Sequence, residues 1–97
     1  MSSADDEREA LRQLEQELRK LKISDLIIQA VFQISSLGWV RLGEDDRDLE
    51  QARLAIDALR VLCGVLEGAV PDQVLRDFEQ MVANMQLAYA SAAANPA

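Results

Sequence analysis

Apolar residues return every three or four positions in four separate blocks of the 97-residue chain, the period of a helix face and not of a strand. The first block, Ser3 to Lys22, places Leu11, Leu14, Leu18 and Leu21 at spacings of 3, 4 and 3. That is a narrow seam of the coiled-coil kind, with charge on the remaining sides. Ser3 suits an N-cap. Asp5, Asp6 and Glu7 oppose the positive helix end, and Arg19, Lys20 and Lys22 suit the negative one. The seam lasts under two heptads, or three if Ala4 is counted, so the helix is marginal alone in water. It must pack against its own domain or against a second chain.

Ser24 and Asp25 read as a helix restart, with Ser24 as cap and Ile23 and Ile28 as a hydrophobic staple. The second helix, running to about Leu37 or Val40, is apolar on most sides. Its polar residues Asp25, Gln29, Gln33 and Ser36 form one thin stripe. The pattern predicts a central, buried helix, with any part the other helices leave uncovered serving as an oligomer interface. Gly43 to Asp48 is an acidic turn in which Asp45 or Asp46 caps the third helix. That helix carries Leu49, Ala52, Ile56, Leu59, Cys63 and Leu66, and Gly64 or, better, Gly68 ends it. Pro71 opens a fourth helix, whose apolar face is Val74, Phe78, Met81, Val82, Met85 and Tyr89. The small, Ala-rich stretch from Ser91 to Ala97 is expected to fray. The expected fold class is all-α, a small helical bundle. Residues 1–22 form a charged amphipathic N-terminal helix, 23–90 a core domain built on three helices, and 91–97 a flexible tail.

Composition agrees with helices. Hydrophobic residues make up 49% of the chain, but the aromatics are only Phe32, Trp39, Phe78 and Tyr89, so the core is aliphatic. Two Pro and four Gly are too few for the turns of a sandwich or barrel. The 10 basic and 17 acidic residues leave a net charge of −7, which disfavours nucleic acid and anionic membranes as partners. The acidic N-terminus lacks the basic start of a secretory signal, and one unpaired Cys fits a reducing cytoplasm. The apolar run from Leu26 to Leu42 is broken by Gln29, Gln33, Ser35, Ser36, Gly38 and Arg41, so it reads as a buried helix and not as a membrane span.

Within the third helix, Ala52-Arg53-Leu54-Ala55-Ile56-Asp57-Ala58-Leu59 resembles the Ala-x-x-x-Ile-Asp-x-Leu run of an uncharacterised bacterial family, domain of unknown function 1844. Upstream, Val40-Arg41-Leu42-Gly43-Glu44 is similar to that family's Leu-Gly-Glu turn, and Leu87-Ala88-Tyr89 falls where it has a Leu…Tyr pair. The loop Gly68-Ala69-Val70-Pro71-Asp72-Gln73 departs from the family pattern: it is one residue shorter and has Val70 in place of a capping Thr. The resemblance covers about two thirds of the chain, Leu26 to Tyr89. It implies a small, soluble, helical bacterial protein and brings no activity with it.

Candidate chemistry is thin. Without His, no imidazole base or ligand exists, and a lone Cys permits neither a disulfide nor a Cys-rich zinc site. Asp57 is expected to pair along its helix with Arg53 or Arg60, with partner anchoring as the alternative. Glu44, Asp45, Asp46 and Asp48 lack the ligand spacing of an EF-hand and read as a capping loop. Cys63, with no basic neighbour in sequence, reads as an inert core thiol, and Met81 and Met85 as core. Trp39 is open equally to a core cap and to an interface anchor. No Gly-rich phosphate loop or nucleophile motif accompanies the carboxylates, so no catalytic, cofactor or metal residues are expected. The leading expectation is a cytoplasmic, non-enzymatic interaction module, homodimeric through Leu11, Leu14, Leu18, Leu21, Ile27 and Trp39. Glu17 and Lys22 would pair across a parallel dimer. The alternative is an accessory RNA- or ribosome-associated protein, which needs Arg8, Arg12 and Arg19 gathered on one side although acids are interleaved with them.

Overall fold

The computed structural model describes residues 3–95 and contains four helices: α1 (Ser3–Lys20), α2 (Ile23–Leu42), α3 (Leu49–Leu66) and α4 (Asp72–Ala94). No strand occurs among the described residues. The all-α bundle is therefore as the periodicity predicts.

α3 is the spine. It packs against both α2 and α4, which touch each other less, while α1 makes no contact with the other three helices. The expectation that α2 is the central helix is thus corrected. Its apolar surface is wider than any one neighbour can cover, and only Val31, Ser35, Gly38 and Leu42 of α2 are buried. The core stripe of α3 is the one enclosed from two sides. Leu59 and Leu66 of α3 are sealed against Val31 and Met85, with Ile56, Cys63, Phe78 and Val82 beside them. Phe32 and Phe78 meet edge to face at 5.6 Å. The Ser35 hydroxyl donates to Met81 Sδ at 3.0 Å, which satisfies the buried hydroxyl of α2. Met81 and Met85 are core residues, as expected.

Gly38 sets how closely the three helices approach. A Cβ there would lie 2.6 Å from Met85 Cε and 3.0 Å from Ala55 Cβ. The methionine tip can swing aside, whereas Ala55 Cβ is fixed to the α3 backbone.

The helix ends refine several expectations. Ser3 already lies inside α1, and the residue before it falls outside the described part. α2 starts at Ile23 from an extended Lys22 without any side-chain cap, so Ser24 is not the cap. Asp48, not Asp45 or Asp46, caps α3 by accepting the Gln51 amide at 3.2 Å. α3 stops at Leu66, and Gly68 takes the left-handed conformation (φ 80°) that releases the chain. Pro71 precedes α4 directly. α4 continues to Ala94 and buries Ala92 beside Leu42 and Ala52, so the helix takes in Ser91 to Ala94 of the expected tail. Ala is the best helix former, and this Ala-rich stretch has a second small cluster to pack on. Pro96 and Ala97 of the expected tail fall outside the described residues.

Arg47, in the acidic turn, joins two helix C-termini. Its guanidinium donates to the Leu42 carbonyl from Nη2 and to the Asn95 carbonyl from Nη1, both at 3.3 Å. A cation there meets the negative ends of α2 and α4 together.

Three substitutions check this packing. Leu59→Ala should lower the unfolding free energy by about 2–5 kcal/mol, read from the urea midpoint by circular dichroism. Arg47→Ala should cost about 1 kcal/mol, and Asp48→Ala a similar amount through loss of the cap.

Candidate interaction surfaces

The chain leaves two apolar surfaces in water. The first is α1. None of its residues is buried, and Leu11, Leu14 and Leu18 are 53–59% exposed along the predicted seam. The Cα radius of gyration is 18.7 Å and the extents are 63 × 33 × 15 Å. A compact domain of about 100 residues has a radius near 13 Å, so α1 projects away from the body. Leu21, which would continue the seam, lies in the two-residue link to α2 and is also exposed. Lys22 leaves the helix with φ −94° and ψ 144°, so the heptad register of Glu17 with Lys22 ends before its basic member.

The second surface lies on the α2–α3 layer. A groove of about 260 Å³ runs between the two helices, with Ile34, Leu37 and Gly38 on one side and Leu54, Ala55 and Ala58 on the other. No residue of α4 lines it. At helical spacing the α2 wall continues from Ile34 through Ala30 to Ile23, and the α3 wall from Ala58 through Val61 to Val65. Ile23, Leu37, Leu54, Val61 and Val65 are all exposed. Contiguous apolar surface of this kind is unusual on a soluble monomer. α2 is also the described helix that is long and apolar enough, by length and composition, to cross a membrane, although its Val31, Ser35, Gly38 and Leu42 are packed into the body.

The residues singled out from sequence separate clearly. Leu11, Leu14 and Leu18 stand together on α1, with Leu21 just past its end. Ile27 does not join them: it is half-buried and packs on the main core. Trp39 is 40% exposed and borders a shallow depression with Leu42, Arg47 and Ala92, away from the groove walls. The second apolar stripe of α3, Leu54-Ala58-Val61-Val65, was missed. Its spacing of 4, 3 and 4 was present in the sequence but hidden beside the stronger core stripe.

The polar candidates stay apart. Asp57 makes no ion pair within 4 Å; among the described residues the one ion pair is Arg12 with Glu9, at 3.2 Å on the exposed side of α1. No group of three or more acidic or thiol side chains is placed to hold a metal ion among the described residues. Cys63 is buried, and its thiol pKa is raised, chiefly by burial and further by the Glu79 carboxylate. The shallow cavity beside it, about 400 Å³, is lined by Arg60, Glu79 and Gln86 among others.

Comparison with family models, with characterised proteins and with solved structures finds no match for this chain.

The Cys63 environment gives a pH prediction. The folded state holds the thiol proton more tightly than the unfolded state, so the thiol's contribution is complete below the ordinary thiol pKa. It is lost as pH rises from there through the raised folded value. Urea midpoints should therefore fall over that alkaline window in the native chain and fall less in Cys63→Ala.

Proposed function

We propose that this protein is a non-enzymatic helical interaction module that works as a homodimer in the cytoplasm. The observation supporting it best is α1: an amphipathic helix whose leucine seam meets nothing in its own chain. An isolated helix of this length is marginal in water. Each leucine fully removed from water contributes about 1.5–3 kcal/mol, so a partner surface both orders α1 and is held by it. The apolar groove on α2 and α3 adds to the same reading. The likeness of residues 52–59 to the bacterial family of unknown function agrees with a small helical protein without catalytic residues, and membership in that family is part of the proposal. Arg12 is engaged with Glu9 and the other α1 bases are interleaved with acids, so no observation favours the RNA-associated alternative.

Size-exclusion chromatography with light scattering at micromolar concentration should give twice the 10.8 kDa chain mass. Leu14→Glu combined with Leu18→Glu, or removal of residues 1–22, should shift the protein toward the monomer while the circular dichroism of the body persists. A wild-type chain that stays monomeric overturns the proposal.

A further inference from the structure

The body is a bundle with one helix missing. α4 covers one side of the α2–α3 layer, and the other side carries the open groove of Ile34, Leu37, Leu54 and Ala58. α1 is a helix with no seat. We infer that the two belong together across the dimer: α1 of one copy seats in the α2–α3 groove of the other, reciprocally, and each exchanged helix completes the partner's four-helix bundle. This deepens the homodimer reading and rests on it.

Three observations point to α1 of a second copy as the occupant. The first is length. α1 has 18 residues and α2 has 20, about 27 and 30 Å at 1.5 Å per residue. An exchanged α1 running antiparallel to α2 matches the length of that helix and passes over the groove at Ile34–Arg41. Its Leu18, Leu14 and Leu11 then fall opposite Leu26, Ala30 and Ile34, with Leu11 entering the groove beside Ile34 and Ala58 and the small Ala30 leaving room for Leu14.

The second is charge. In that orientation the acidic first turn of α1, with Asp5 and Asp6, arrives at the end of the groove bounded by Arg41. The α1 N-terminus meets the α2 C-terminus, the favourable dipole arrangement. By contrast, antiparallel pairing of two α1 helices in the register that faces Leu14 with Leu18 would set Glu15 and Glu17 of one copy against Glu17 and Glu15 of the other beside the seam. Parallel pairing would lose its basic partner, because Lys22 has left the helix.

The third is the link. Only Leu21 and Lys22 join α1 to α2, and Lys22 is extended. A short, extended link directs α1 outward and favours exchange between copies over folding back within one chain.

Disulfide capture in a Cys63→Ser background tests the seat. Leu14→Cys chains are mixed with tagged Ala30→Cys chains, re-equilibrated and oxidised with copper phenanthroline. The expected product is the mixed 14–30 disulfide, with little 14–14 product from Leu14→Cys chains alone. A dominant 14–14 disulfide in a chain that is still dimeric overturns the groove docking and leaves the homodimer reading standing. A wild-type monomer, or a chain carrying both Leu14→Cys and Ala30→Cys that closes an intrachain disulfide as a monomer, overturns both. Leu54→Glu gives a second readout, since it changes the groove wall at a residue 60% exposed in the monomer and leaves α1 untouched. It should weaken dimerisation at least tenfold with the body still folded, and an unchanged dissociation constant overturns the docking.

Discussion

The close approach of α2 to α3 at Gly38, with Met85 of α4 against both, governs how this small chain spends its apolar surface. A glycine there lets Ala55 and Met85 come within the space a side chain would need, and Leu59, Leu66 and Val31 are sealed in the same core. Three helices arranged this way make a layer and not a closed bundle. Each helix can hide one stripe, and any second stripe is left in water.

α2 and α3 both have a second stripe. On α2 it is the excess of an almost wholly apolar helix, and on α3 it is the run from Leu54 to Val65. The two lie side by side and form the groove, while α1 carries a matching seam into solvent. Unsatisfied apolar area on the body and an unsupported helix beside it are one physical situation seen from two ends. In the proposed dimer, association would relieve both at once, because dehydrating the groove and ordering α1 would use the same contact.

The polar contacts serve the ends of helices and the packing between them. Asp48 caps α3, Arg47 binds the carbonyls that finish α2 and α4, and the Ser35 hydroxyl donates a hydrogen bond to Met81 Sδ. The acidic turn is thus held by its single Arg. Sequence reasoning placed the capping role in the right loop but two or three residues early. Choosing among adjacent acids depends on where the α3 backbone begins its turn, and tertiary packing sets that point.

The amino-acid order by itself determined that there are four helices, nearly where each runs, and which α3 and α4 residues form the core. Periodicity of 3.6 is a local property, readable without any partner. It also marked the leucines of α1 as surface in need of cover. What only the tertiary structure decided is which helix stands in the middle, that Ile27 faces inward, and that Leu37 and Leu54 line one groove. A helix with more than one apolar stripe can bury any of them, and the choice falls to the neighbour that approaches most closely. Here that neighbour is admitted by the missing side chain of Gly38.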